Sequence, residues 1–167
     1  MNDWYKGAWN FVFLGCQGAP TSHCGHDDGN PVTTIDKTPL IAEKPYITID
    51  DSGKFYLHRP VYKRDTIGID WDDGADVIDF SQVYVASDFD TAAVINKRLK
   101  DGLHVVLQPG MYYLEESIKV VKDGQVLLGL GLATLTPTNG NACIEVADQT
   151  DARVAGVLLQ AGFVHSV

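Results

Sequence analysis

The chain has 167 residues, of which 13 are Lys or Arg and 22 are Asp or Glu, so its formal net charge is -9 at pH 7. This charge repels phosphate backbones and anionic lipid head groups, which argues against nucleic-acid and membrane partners. No stretch approaches the roughly 18 apolar residues of a transmembrane helix, and no apolar core of a secretory signal follows Met1. We therefore expect either a cytosolic protein or a chain that lacks its true N-terminus.

The N-terminal half, residues 1–86, contains short strands separated by loops. The clearest prediction is a hairpin, in which Ile47 and Ile49 lie on one side of a strand before an Asp-Asp-Ser-Gly turn at 50–53. Another strand is predicted at 80–86. We therefore predict that this region is a mixed connector of short strands.

The cysteine, histidine and acidic residues in this half do not have the spacing of a known metal-binding motif, so no metal site is predicted. Cys16 and Cys24 enclose a short loop rich in turn-forming residues, which predicts a small disulfide in an oxidising compartment. The polar groups at 23–27 lack a second ligand pair at zinc-finger spacing, and the acidic loop at 70–76 lacks the terminal Glu of an EF-hand. No cofactor is predicted. Cys143 has apolar neighbours and is expected to be a buried free thiol.

A well-marked helix is predicted over residues 87–100. Ser87 can serve as the N-cap, and Asp90 lies three residues further on, at the spacing of a capping box. Gly102 stands where a left-handed residue can end the helix, and the last predicted turn is rich in cations: Lys97, Arg98 and Lys100.

A buried strand and a turn follow this helix. Residues 105–107 are apolar without alternation, which is typical of a strand covered on both faces. Pro109 and Gly110 then have the order that the central residues of a type II turn require.

The second half of the chain repeats one phrase, an apolar triplet followed by two residues and a glycine. It occurs at 105–110, 126–131 and 157–162. Short strands and turn pairs between the copies are typical of a parallel β-solenoid, in which each coil stacks on the last. A doubly wound α/β sheet would need a helix between successive parallel strands, and only 87–100 has helical spacing. We therefore predict an all-β solenoid whose three phrases stack directly on one another, with the helix as its N-terminal cap.

Several segments of the chain carry a resemblance to a known family. The sequence DTAAVIN at 90–96, then Gly102 and HVVLQPGMYYL at 104–114, resembles the opening of right-handed parallel β-helix domains of the pectate-lyase-like superfamily. It is more closely similar to secreted microbial proteins related to glycoside hydrolase family 55, whose members cleave β-1,3-glucan from two β-helix domains in tandem. The segments at 126–135 and 154–159 resemble the first coils of the second such domain.

The resemblance implies a particular organisation of the chain. Residues 1–86 would be the end of a preceding β-helix plus a connector, and residues 87–167 the cap helix and first coils of a truncated β-helix domain. The chain would then be a fragment of an extracellular, secreted protein, and the remainder of that protein would be one of its partners. In the family 55 glucanases the catalytic acid lies beyond the position of Val167, so no catalytic residue is assigned here.

Acidic residues within the chain do not make a convincing catalytic pair. Glu115 and Glu116 fall where a coil turns, and Asp148 and Asp151 flank a turn whose amides explain them as well as chemistry does. Sugar contacts are instead predicted at exposed aromatic rings, because such rings stack on the apolar faces of pyranoses. Four residues are candidates, although one of the last two must point inward on an alternating strand: Trp71, Tyr84, Tyr112 and Tyr113.

The sequence thus favours a carbohydrate-active β-helix protein whose partner is a polysaccharide or cell-wall glycan. The first hypothesis is part of a β-glucan-type glycoside hydrolase. A non-catalytic glycan-binding or adhesive module is the alternative, and a purely structural spacer is the third.

Overall fold

The computed structural model describes residues 12–19, 32–68, 74–148 and 151–164. These segments contain helix α1 (Ala92–Lys100), a short 3₁₀ helix (Phe80–Gln82) and fourteen strands. In chain order the strands are β1 (Val12–Leu14), β2 (Thr33–Ile35), β3 (Thr38–Ile41), β4 (Tyr46–Ile49), β5 (Phe55–Pro60), β6 (Lys63–Thr66), β7 (Ala75–Asp79), β8 (Val83–Ala86), β9 (His104–Leu107), β10 (Met111–Leu114), β11 (Ile118–Val120), β12 (Val126–Pro137), β13 (Ile144–Val146) and β14 (Arg153–Leu159). Within the described segments, no helix has the length and apolar character needed to cross a membrane.

The chain divides into two compact units. The first comprises Met1–Glu43 and Pro60–Gly74, and the second comprises Lys44–Arg59 and Ala75–Val167. In the first unit β1 pairs with β2 in parallel, and β3 pairs with β6 in antiparallel orientation. The sequence-based division at residues 86 and 87 stays a prediction.

The second unit contains a β-solenoid made of three stacks of parallel strands. The first stack consists of β8, β9 and the beginnings of β12 and β14. The second consists of β10 and the ends of β12 and β14, and the third pairs β11 with β13. The chain visits the stacks in the same order in successive coils, which confirms the predicted solenoid.

The register of the coils differs from the predicted one. Residues 105–107 pair with 127–129, so the first two phrases stack with an offset of one residue. The third phrase is displaced, because residues 157–159 pair with 133–135 while 153–155 lie beside 126–128. The prediction that all three phrases stack directly is therefore wrong. The reason is that β12 turns its corner between Leu128 and Ala133, whereas in β14 Gly156 alone separates the paired segments.

The solenoid encloses an apolar interior. Tyr112, Leu114, Leu127 and Leu135 are among its fully buried members. The interior cluster also contains the apolar face of α1: Ala92, Ile95 and Leu99. Val105 and Leu107 point into this cluster, while Val106 packs on the opposite side of the sheet, which confirms that this strand is covered on both faces.

Helix α1 begins later than predicted and ends where predicted. Thr91 is the N-cap, and its hydroxyl accepts a hydrogen bond from the amide of Val94. Ser87 instead belongs to a preceding turn, in which its amide donates to the carboxylate of Asp90 at 2.9 Å. At the C-terminus, Gly102 has a φ of +95° and the amide of the next residue reaches the carbonyl of Arg98, so the helix ends in a Schellman motif.

Two side-chain amides join α1 to the coils. Asn96 donates to the carbonyl of Ser117 at 2.9 Å and accepts from the amide of Lys119 at 2.7 Å, so it takes the place of a strand partner along one edge of β11. The buried Gln125 donates to the carbonyls of Leu99 and Leu103, both at 2.8 Å. Both amides therefore satisfy main-chain groups that have no partner in a regular ladder.

The turn after β9 also departs from the prediction. Gly110 is not in the left-handed region that a type II turn requires. Space is the constraint here, since a Cβ at Gly110 would lie 2.8 Å from the Cβ of Asp88.

A three-stranded sheet of β4, β5 and β7 forms the rest of the second unit. The predicted hairpin is confirmed by the antiparallel pairing of β4 with β5. Leu57 and Ile78 of this sheet share a second apolar cluster with Val106, Val126 and Leu128 of the solenoid. The cluster covers the outer side of the first parallel stack.

Candidate glycan-contact surfaces

Tyr112 and Tyr113 lie on opposite faces of β10, as strand alternation requires. Tyr112 is only 1% exposed, and its hydroxyl donates to the carbonyls of Ala86 and Gln108 at 3.0 and 2.9 Å. Burial, with the nearby carboxylates of Asp88 and Asp90, raises the pKa of Tyr112 to about 12. Tyr112 is therefore a core residue that offers no face to a sugar.

Tyr113 is the accessible member of the pair. Its side chain is 63% exposed, and its hydroxyl lies 4.0 Å from the sulfur of Met111. It lies beside Thr136 of the next coil, in the second parallel stack. Its ring is available for stacking in the described structure.

Tyr84 is half-buried, and its ring is engaged within the protein. The hydroxyl donates to Asp90 at 3.0 Å, and the guanidinium of Arg98 lies 4.7 Å from the ring centroid. Burial and the charge of Asp90 raise the pKa of Tyr84. One face of the ring is therefore occupied by Arg98.

Two predicted residues, Trp71 and Cys24, lie outside the described residues. The disulfide between Cys16 and Cys24 therefore stays a prediction. Cys143 is a free, half-buried thiol that lies 3.4 Å from the carbonyl of Leu135, and burial raises its pKa. This environment disfavours the reactive thiolate.

Arg59 binds Asp76, at the end of the acidic loop, and lies close to the candidate acid Asp151. Its guanidinium donates to the carboxylate of Asp76 at 3.1 and 2.5 Å, and to the carbonyl of Gly124 at 2.6 Å. It also lies 3.7 Å from the carboxylate of Asp151, which forms a second ion pair with Arg153. These acids therefore connect neighbouring segments of the second unit. In the part of the chain that the structure describes, no group of three His, Cys, Asp or Glu residues could hold a metal ion.

Glu115 and Glu116, at the corner of the first coil, also make contacts within the protein. Glu116 lies 3.8 Å from the ammonium of Lys119, and the carbonyl of Glu115 accepts from the side chain of Asn139. The first contact is a local ion pair with a residue of β11, the second links two neighbouring coils, and neither brings two carboxyl groups together.

His104 was not singled out by its sequence context. Its Nδ1 accepts a hydrogen bond from the amide of Val126 at 3.1 Å, which requires the neutral ring. Burial and then the charge of Arg59 lower its pKa. Because residues 59 and 104 are far apart in sequence, only the fold reveals the effect of Arg59 on the pKa of His104.

The hairpin of β4 and β5 carries an aromatic face that the sequence-based reasoning also missed. The rings of Tyr46 and His58 are stacked, with centroids 4.6 Å apart and planes inclined by 3°. Thr48 and Tyr56 form the next pair on the same face. The cross-strand alternation of residues 46–49 and 55–58 is the signal that would have located this face.

An open groove of about 500 Å³ lies within the second unit. Its apolar lining includes Phe55, Phe80, Val85 and Leu130, and its members with polar groups are Lys44, Tyr46 and Gln108. A groove with so few polar groups suits apolar packing better than a hydroxyl-rich ligand.

The parallel stacks and the helix-to-strand junction define a pectate-lyase-like β-solenoid. Residues 83–167 match the family described as the LAM55 pectate lyase-like domain, and the chain belongs to this family. The chain is also 35% identical, over 170 aligned residues, to an exo-beta-1,3-glucanase of Streptomyces sp. (strain SirexAA-E / ActE). That alignment covers 99% of this chain and 27% of the relative.

Solved structures of a protein from the same Streptomyces strain are also similar to this chain. The structure of sacteLam55A from Streptomyces sp. SirexAA-E superimposes with a TM-score of 0.77 at 31% identity, over 94% of this chain and 30% of that chain. Its E502A variant in complex with glucose gives a TM-score of 0.80 at 31% identity, over 95% and 31% of the two chains. The chain thus spans about a quarter to a third of the relatives it matches.

Proposed function

We propose that this chain forms part of a glycoside hydrolase that cleaves β-1,3-glucan. The observation that carries this proposal is the 35% identity to an exo-beta-1,3-glucanase over 99% of the chain. The identity extends through both the short-strand region and the solenoid. A polysaccharide is accordingly the proposed substrate, in keeping with the glucose complex of a structural relative.

The proposed role of this chain is to scaffold and contact the glucan. Asp76 and Asp151 are both engaged by arginine side chains, so we assign neither as a catalytic acid. Tyr113 is the predicted aromatic contact that is best placed to stack on a sugar, because its ring is exposed on a rigid strand.

We further propose the organisation that the family resemblance implies. Residues 1–86 would end one β-helix and connect it to a second, right-handed β-helix that begins at residue 87 with α1 as its N-terminal cap. Support comes from the parallel pairing of β1 with β2, and from the hydrogen bonds of Asn96 along the edge of β11.

An extracellular location is part of the same proposal. Polymeric glucan does not cross membranes, so an enzyme that shortens it works outside the cell. Fractionation of the producing culture should place the protein in the medium, and its retention in the cytosol would contradict this point.

Sugar release by the complete natural gene product tests the proposed reaction. We expect glucose from laminarin and no uronic acid from pectin, which serves as the matched polysaccharide control. No release from laminarin would contradict the hydrolase proposal. If insoluble glucan nevertheless retained the protein, the non-catalytic glycan-binding alternative would replace it.

A further inference from the structure

We propose that the outward face of the β4–β5 hairpin is an additional contact surface for neutral glucan, centred on Tyr46 and His58. The choice of glucan as the ligand rests on the proposed function. The surface itself is argued from the geometry of the hairpin, which none of the predicted sugar contacts includes.

The two faces of this hairpin have different roles. Ile47 and Leu57 are cross-strand partners whose side chains pack in or against the second apolar cluster. Because side chains alternate along a strand, the neighbouring pair of Tyr46 and His58 lies on the other face. The apolar cluster under this sheet thus draws on Ile47 and Leu57 of one face, while Tyr46, on the other face, only borders the apolar groove.

The aromatic pair is held in place before any ligand binds. The imidazole of His58 lies parallel to the ring of Tyr46 and forms a 2.7 Å hydrogen bond through Nε2 to the hydroxyl of Thr48. Tyr46 is still 42% exposed. A ring fixed in this way loses little conformational entropy when a sugar stacks on it.

Polar groups continue along the same face. The hydroxyl of Tyr56 donates to Asp50 at 3.2 Å, and the other carboxylate oxygen of Asp50 accepts from the amide and hydroxyl of Ser52. Successive outward positions on a strand are about 7 Å apart, so aromatic and hydroxyl groups are presented in an extended row. A row of this kind suits a chain of pyranose rings, whose C–H faces stack while their hydroxyls hydrogen-bond.

The charges on this face are locally compensated. Lys54 lies 2.5 Å from the carboxylate of Asp79 and 5.3 Å from the ring centroid of Tyr56, and Asp50 is occupied by the turn. With a formal net charge of -9 for the whole chain, an anionic polymer would be repelled. An uncharged glycan is therefore the ligand class that this surface fits.

Affinity electrophoresis of the 167-residue chain in gels containing laminarin tests the proposal. The Tyr46→Ala variant should bind laminarin about three- to tenfold more weakly, the size of one aromatic stacking contact. Tyr46→Phe retains the ring and should bind like the wild type. Phe89→Ala is the matched control, because Phe89 is 93% exposed and lies outside the hairpin. Unchanged melting temperatures establish that each variant is folded.

The results of this experiment distinguish a failure of the proposed surface from a failure of the hydrolase proposal. The proposed surface is overturned if laminarin retards the Tyr46→Ala variant as much as the wild type, or if it does not retard the wild type. This holds whatever the activity of the gene product. If retardation depends on Tyr46 while the gene product releases no sugar, the surface stands and the catalytic proposal fails.

Discussion

Asn96 shows how a single side chain can provide hydrogen-bond partners for the main chain along the free edge of a strand. Each backbone amide along an exposed strand edge needs a partner, and an unpaired edge also invites association with other chains. In this protein a helical asparagine supplies a donor and an acceptor to one edge of β11. This is the main physical support for the proposed capping role of α1.

Hydrogen exchange at Lys119 tests that role. The amide of Lys119 donates to Asn96 at 2.7 Å, so we expect it to exchange slowly in the wild type. Asn96→Leu should remove this protection and lower the free energy of unfolding by about 1–3 kcal/mol, because two main-chain groups lose their partner. Asn139→Leu, at a coil corner, is the control and should leave Lys119 protected. Slow exchange in Asn96→Leu would mean that another group covers this edge.

At the scale of the elements, two neighbouring coils approach each other closely at the corner between the first and second parallel stacks. Gly156 has a φ of +70°, and a Cβ on it would overlap the carbonyl oxygen of Gly129 in the neighbouring coil. Glycine is therefore required at this corner for two reasons, its left-handed backbone and the close approach of the two chains.

Comparison of two glycines separates these reasons. Gly53 also has a left-handed φ, of +85°, but a Cβ there meets nothing within 4 Å. We expect Gly53→Ala to cost about 1–2 kcal/mol from backbone strain alone. Gly156→Ala should cost about 1–3 kcal/mol more, because the neighbouring backbone must shift. Equal losses of stability in urea melts would show that the two coils are not in contact at this corner.

The elements also show which features the sequence alone could predict. The end of α1 is a local property, because the cationic last turn and Gly102 both lie within a few residues of it, and it was predicted correctly. The start was placed four residues early, because Ser87 and Asp90 satisfy each other in a separate turn. Local pattern cannot decide which of two competent capping residues begins the helix.

The register of the coils and the long-range contacts could not be predicted from the sequence, for a different reason. The apolar triplets at 126–128 and 157–159 have the same composition, but they occupy different stacks because the corners of their coils differ. Among the proposed sugar contacts, alternation established that one of Tyr112 and Tyr113 is buried, and packing determined which. The pairing of Tyr46 with His58 needed the hairpin register.

At the scale of the whole molecule, the functional proposals depend on the stacking of the coils. The solenoid positions Tyr113 on an exposed parallel stack and relates the chain to the Streptomyces glucanase structures. Thr134 pairs with Leu158 in this arrangement. Direct stacking of the repeated phrases would instead align Leu130 with Ala161.

Disulfide cross-linking between coils distinguishes these two registers. Paired residues on neighbouring strands are about 4.8 Å apart, within the range that a disulfide spans. In a background with Cys16, Cys24 and Cys143 replaced by serine, the Thr134→Cys/Leu158→Cys variant should form an intramolecular disulfide on mild oxidation, and Leu130→Cys/Ala161→Cys should not. A disulfide in the second variant and none in the first would contradict the register of the coils, and with it the position of Tyr113 beside Thr136 on the exposed stack.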